Sequence, residues 1–223
     1  MIHWKNWGDR ILYLSRIKLD TDKKHTKVAL ASYNKFHGAI EEAFRNECEE
    51  RSRKLWRLDR INNNVYLLLL SSTKPQLDSF VRQFGTGMED CVTKNYEPFL
   101  NRISIDSSWN FRLVANPTIC KWIQGQRGKR IATSSASTQM EWLRRQAEKN
   151  GFDIDDDATN VTESKWVIFS KRGEHVIKAL SVTYEGVLVV KDVDRFKKVL
   201  IEGLGREKAY GMGLLTVMKP MSE

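Results

Sequence analysis

One order of elements, strand–helix–strand–strand–helix–strand, can be read twice along this chain, and few folds accommodate it. Residues 11–19 (ILYLSRIKL) read as an apolar strand with polar interruptions, and the charged run DTDKKHTK after it reads as a loop. In SYNKFHGAIEEAFR the residues Phe36, Ile40, Ala43 and Phe44 recur at three-and-four spacing, the signature of a helix with one buried stripe. KLWRLDR and VYLLLLSS follow as strands. Asn62, Asn63 and Asn64 between them predict a tight hairpin turn, because asparagine tolerates positive φ. Pro75 opens a second helix carrying Leu77, Phe80, Val81 and Phe84 on one face, Gly85 and Gly87 end it, and a last strand is expected within Cys91–Ile105.

The second half repeats the order. WNFRLVANP reads as a strand stopped by Asn-Pro, and a basic loop follows. Thr138 with Glu141 suggests a capping box for the helix MEWLRRQAEKN, which Gly151 closes. WVIFSK and VIKALSVTYEGVLVVK supply strands. Asp192 caps a helix with Val193, Phe196, Val199 and Leu200 on its apolar face, and GLLTVMK closes as a strand. The fold expected is α+β: two tandem ferredoxin-like (RRM-like) βαββαβ domains, residues 1–106 and 107–223.

A net charge of +9 and a pI near 9.5 suit a polyanionic partner, nucleic acid first. Cys48, Cys91 and Cys120 are too scattered for a zinc ribbon or a redox C-x-x-C pair. The run Asp155-Asp156-Asp157 reads as a solvated turn rather than a metal site. The start MIHWKNWGDR carries charges where a signal peptide needs an apolar run, and Val65–Leu70 is too short to cross a bilayer. A cytoplasmic protein without a metal or small-molecule cofactor is expected.

The segment GLGREKAYGMG holds Gly203, Gly205, Gly211 and Gly213. It is no dinucleotide fingerprint, since Lys208 stands where a glycine is needed and a helix precedes it. It is no P-loop either, lacking G-K-[ST]. Two readings remain: a helix cap with a tight turn, or a loop whose backbone amides, with Arg206, Lys208 and Tyr210, approach phosphate.

EGLGREKAYGMGLLTV resembles the glycine-rich signature that closes repeat-associated CRISPR endoribonucleases, the CasE branch of type I-E systems above all. LYLSRIKLD, FHGAIEEAF, LWRLD, YLLLLSS, NYEPFLNR, FRLVANPT, RGKR, EWLRRQAEKNGF and YEGVLVV agree in order, from about residue 11 onward. The resemblance implies two ferredoxin-like domains and binding of a CRISPR repeat hairpin. It implies one metal-independent cut at the 3′ side of the stem, with the ribose 2′-hydroxyl as nucleophile. Such proteins keep the mature guide RNA and join the other subunits of Cascade.

That chemistry needs a base for the 2′-hydroxyl, an acid for the departing 5′-oxygen, and donors for the phosphorane-like charge. Histidine suits proton transfer near neutral pH. Of His3, His25, His37 and His175, His37 matches the family histidine and lies at the edge of the apolar stripe, with His25 as reserve. In some family members a tyrosine stands three residues before this histidine. Here that position is Asn34 and Tyr33 stands four before, one helical turn away, so Tyr33 is read either as a catalytic partner or as the first aromatic of the stripe.

RNA contacts are expected from Lys121, Arg127, Lys129 and Arg130 in KWIQGQRGKR, from Arg57 in WRLD, and from the glycine-rich loop. Arg51, Arg53 and Lys54 lie near Arg57, and Arg144, Arg145 and Lys149 read as a solvated basic face. Trp56, Trp109, Trp142 and Trp166 read as core. Two alternatives share these features: a guide-RNA-holding subunit without cleavage, and a tandem ferredoxin-like RNA-binding protein outside CRISPR.

Overall fold

A computed structural model of the chain describes residues 11–45, 54–123, 126–170 and 176–220, the side chains of residues 123, 126, 127 and 170 excepted. His3, Cys48, Arg51, Arg53, His175 and the Arg127 side chain therefore lie outside the described residues.

Strand β1 (Tyr13–Leu19) is followed by α1 (Lys24–Ala31), α2 (Asn34–Glu42), β2 (Leu55–Ile61), β3 (Asn64–Ser71), α3 (Asp78–Phe84), β4 (Cys91–Asn95) and the single turn α4 (Glu97–Leu100). The strands form an antiparallel sheet in the order β2-β3-β1-β4, the ferredoxin-like arrangement. Asn62 and Asn63, at φ 48° and 63°, make the β2–β3 turn. Strand alternation sends Ile17, Leu19, Leu67 and Leu69 to one face. There they pack with Phe36, Ile40 and Phe44 of the α2 segment and Phe80, Val81 and Phe84 of α3.

The charged run read as a loop contains the start of α1, and His25 lies on it. Only Thr26 and Ala29 of α1 are buried, so its apolar face is too slight to show in the sequence.

The second half comprises β5 (Ser108–Ala115), β6 (Thr118–Ile123), β7 (Gln126–Ala132), α5 (Ala136–Lys149), β8 (Phe152–Ile154), β9 (Asn160–Ser170), β10 (Val176–Val190), α6 (Val193–Glu202) and β11 (Leu215–Met218). The main sheet runs β11-β5-β10, and β8 and β9 pair the far edge of β10 at different registers. This is again the ferredoxin-like order, with the outer strand split in two. Trp109, Phe111, Leu113, Trp142, Tyr184 and Phe196 are among the residues filling its core. Asp192 caps α6 as expected, its carboxylate accepting from the Arg195 amide at 3.0 Å. Helix α5 starts four residues earlier than the sequence indicated. Its cap is Ser135, which accepts from the Thr138 amide at 3.3 Å, so the Thr138–Glu141 box does not form the start. The basic loop is a two-stranded hairpin, β6–β7. Trp166 is half exposed at 50%, unlike the buried Trp56, Trp109 and Trp142, because it faces outward on β9.

The two halves share a core: Leu12, Leu55 and Leu70 of the first half pack with Trp109, Phe111 and Leu113 of the second. At this junction Arg57 is buried, and each of its five N–H donors has an acceptor. It binds Asp59 through Nε at 2.7 Å and Nη2 at 2.8 Å, the Arg112 and Leu214 carbonyls at 2.7 and 2.9 Å, and the Thr216 hydroxyl at 2.8 Å. Arg112 continues the network, 3.3 Å from Asp59 and 2.8 Å from Glu185. Arg57 was expected to meet RNA; saturated and 2% exposed, it instead ties β2 to β5 and β11.

Candidate active site

Helix α2 presents His37 beside its buried stripe, as the spacing in the sequence demands: Phe36 and Ile40 face inward, and the imidazole is 37% exposed. Its Nδ1 lies 4.0 Å from Glu41 Oε1, one turn along the helix. Lys54 steadies Glu41 at 3.1 Å while its ammonium sits 4.6 Å from the Phe44 ring. The Nε2 atom of His37 makes no hydrogen bond among the described residues.

The glycine-rich loop meets this helix from the second half. It leaves α6, wraps the edge strand β2, and passes through a 3₁₀ turn, Lys208–Tyr210, before entering β11. Trp56 of β2 holds it by donating from Nε1 to the Ala209 carbonyl at 3.1 Å. Gly211 has φ +79°, and a Cβ there would come within 2.9 Å of the Trp56 ring; only glycine fits. Gly203 lies against Leu55, and Gly213 donates its amide to the Val114 carbonyl at 2.6 Å. These three glycines serve contacts within the chain rather than approach to a partner. Lys208 is likewise engaged, its ammonium donating to the Glu202 and Gly203 carbonyls at 2.7 Å each, where it caps the C-terminus of α6. Of the loop residues expected at RNA, Gly205 and Arg206 are exposed.

The turn brings the Tyr210 ring to 5.9 Å from the His37 ring, at an interplanar angle of 56°. Phe169 of β9 stacks on Tyr210 at 3.8 Å. Burial, then the nearby Glu207 carboxylate, push the Tyr210 phenol above its ordinary value. Tyr33 is placed differently. Its ring packs edge-on against Trp56 at 5.9 Å as part of the first core, so the stripe reading of Tyr33 describes its contacts.

The hairpin forms a second candidate surface. Lys121 and Lys129 are directly opposed in register, and both are exposed, as is Arg130, which pairs Cys120. Like charges facing each other across a ladder repel, and a polyanion laid over them removes that repulsion. Trp122 beside them is 74% exposed. Elsewhere the Asp155 carboxylate accepts from the Asp157 and Ala158 amides, a closed turn, and Arg144 pairs with Asp156 at 2.8 Å. Among the described residues no group of three or more His, Cys, Asp or Glu side chains is placed to hold a metal ion, and no helix is long and apolar enough to cross a membrane.

The chain is similar to known proteins over nearly its whole length. The family described as "CRISPR associated protein" matches residues 12–219. The CRISPR-associated endoribonuclease Cse3 of Thermus thermophilus is 28% identical over 220 residues, which cover 92% of this chain and 99% of that protein. A structure of Cse3 bound to a 19-nucleotide RNA superposes with a TM-score of 0.79 at 25% identity, covering 94% of this chain and 100% of the other. A chain of a CRISPR RNA-guided surveillance complex in a pre-nicking state superposes with a TM-score of 0.69, also at 25% identity, covering 93% and 100%.

Proposed function

The chain belongs to the CRISPR-associated protein family, and from that membership we propose that it is an endoribonuclease that binds a CRISPR repeat hairpin and cuts precursor RNA at the 3′ side of the stem. The mature guide stays bound, and the protein carries it as a subunit of a surveillance complex in the cytoplasm. The observation that carries this reading is a half-exposed histidine, His37, set at the junction of α2 and the glycine-rich loop.

His37 acts at the 2′-hydroxyl. The imidazole, with one nitrogen toward Glu41, offers the other to take the proton as the 2′-oxygen attacks in line. The P–O5′ bond then breaks, leaving a 2′,3′-cyclic phosphate on one fragment, and the departing 5′-oxygen takes a proton from water to become a 5′-hydroxyl on the other. The step requires no metal ion. Lys121, Lys129, Arg130, Arg127 and Arg206 hold the RNA backbone, and the β6–β7 hairpin reads an A-form stem by shape and phosphate position. The Tyr33 ring packs on Trp56, and this reading assigns it to support of the helix that carries His37. The divisions 1–106 and 107–223, locked by Arg57, meet at the site: the first carries His37, and the second carries the glycine-rich loop and the hairpin that grips the stem.

The test is to incubate the protein with the repeat hairpin in excess EDTA and to analyse product ends. A single cut giving cyclic phosphate and 5′-hydroxyl ends supports the proposal. Specific binding without any cut favours a guide-holding subunit, and no specific binding overturns the CRISPR role.

A further inference from the structure

Tyr210 combines three features that packing alone does not require. Its ring is 9% exposed and fixed on two sides, by Phe169 at 3.8 Å and by His37 at 5.9 Å. Its backbone is fixed as well: its amide donates to the Glu207 carbonyl at 2.9 Å, the preceding carbonyl is held by Trp56, and the following residue is Gly211, confined against Trp56. Yet its hydroxyl makes no hydrogen bond among the described residues and is not sealed from solvent. The contrast with Tyr184 is direct, since that buried tyrosine donates to the Gln139 carbonyl at 3.2 Å. An ordered phenol whose hydroxyl no group among the described residues engages and that solvent reaches is free to donate to an acceptor brought beside His37.

We propose that Tyr210 is a catalytic residue: its hydroxyl donates a hydrogen bond to a non-bridging oxygen of the scissile phosphate while His37 takes the 2′-hydroxyl proton. This rests on the nuclease reading above and assigns within it the donor for the developing charge. The proton stays on the tyrosine throughout, so no bond to oxygen is made or broken there. Burial favours the protonated phenol, which is the donating form. A donor rigid before substrate arrives stabilises the pentavalent phosphorus state without reorganising during the reaction. The loop supplies this through two aromatic contacts and a glycine that admits no side chain. The tyrosine beside His37 thus comes from the second half of the chain, while the Tyr33 ring packs on Trp56 of the first.

Tyr210→Phe keeps the ring, the stacking and the fold, and removes only the hydroxyl. Single-turnover cleavage of the repeat hairpin is expected to slow about 10²-fold, with RNA affinity and melting temperature unchanged. Sulfur is a poor hydrogen-bond acceptor. Phosphorothioate substitution of the contacted oxygen is therefore expected to slow the wild type but to add little to the slowing in Tyr210→Phe. A wild type that cuts while Tyr210→Phe cuts equally fast overturns this assignment alone. Loss of RNA binding in Tyr210→Phe also overturns it, reducing Tyr210 to a binding residue. A wild type that does not cut overturns the nuclease reading, and this proposal with it.

Discussion

The His37 imidazole and the Tyr210 phenol ring lie 5.9 Å apart although 173 positions separate them, and they belong to different sheets' elements. A site assembled this way exists only when the two halves are docked. Substitutions at the junction therefore act on catalysis through geometry, and the first two expectations concern that docking.

Gly211→Ala forces a Cβ into the Trp56 ring at a backbone angle that L residues disfavour. The left-handed conformation alone costs about 1–2 kcal/mol, and the clash adds to it. The expected outcome is a lowered melting temperature together with a cleavage rate reduced more than RNA affinity, since Tyr210 is the neighbour displaced. Thermal melts and single-turnover kinetics on one preparation check both.

Arg57→Ala leaves the buried Asp59 carboxylate without the cation that pairs with it twice. Breaking one side of a buried ion pair costs about 3–5 kcal/mol. Arg57→Lys is expected to recover little, because an ammonium cannot reproduce a five-donor fork. Urea unfolding measures the loss. If Arg57 touched phosphate, the salt dependence of RNA binding in a folded variant would weaken; the expected salt slope is that of the wild type.

The hairpin behaves in the opposite way. Lys121→Ala and Lys129→Ala each remove one exposed charge and relieve a cross-strand repulsion, so stability is expected to hold or rise slightly. RNA affinity is expected to fall. The slope of log affinity against log salt should decrease by about 0.7–0.9 per lost phosphate contact. Anisotropy titrations at several salt concentrations read this directly.

Burial raises the phenols of Tyr96, Tyr184 and Tyr210 above their ordinary value. A group raised in the folded state contributes stability that is complete below its unfolded pKa, near 10, and is lost as pH rises through the folded value. The melting temperature is therefore expected to fall from about pH 10 upward, with phenolate absorbance appearing on unfolding. A melting temperature constant into that range contradicts the burial of these rings.

Much of the fold was legible because its elements carry strong periodicities. The stripe Phe36, Ile40, Phe44 placed α2 and set His37 at its edge, and the asparagines marked the β2–β3 turn. Helix α1 was hidden because two buried residues in a charged run leave no stripe. Arg57 was misread because alternation in LWRLD shows which face it takes, but not that β5 and β11 cover that face from more than fifty residues away. The spacing of the glycines leaves a capped turn and an approach to phosphate equally open; the close approaches at Gly203, Gly211 and Gly213 are to Leu55, Trp56 and Val114, which only the docked halves bring near. Trp166 was assigned to the core from residue type, whereas position on the outer strand decides its exposure.

The most direct test of the central claim is single-turnover cleavage of the repeat hairpin in EDTA by the wild type and by His37→Ala, with all-ribose RNA and with RNA carrying a 2′-deoxy nucleotide just before the cut. The proposed mechanism predicts that only the wild type cuts, and only the all-ribose RNA, while His37→Ala binds with undiminished affinity. Cutting of the all-ribose RNA by His37→Ala at the wild-type rate, or of the deoxy RNA by the wild type, would contradict it.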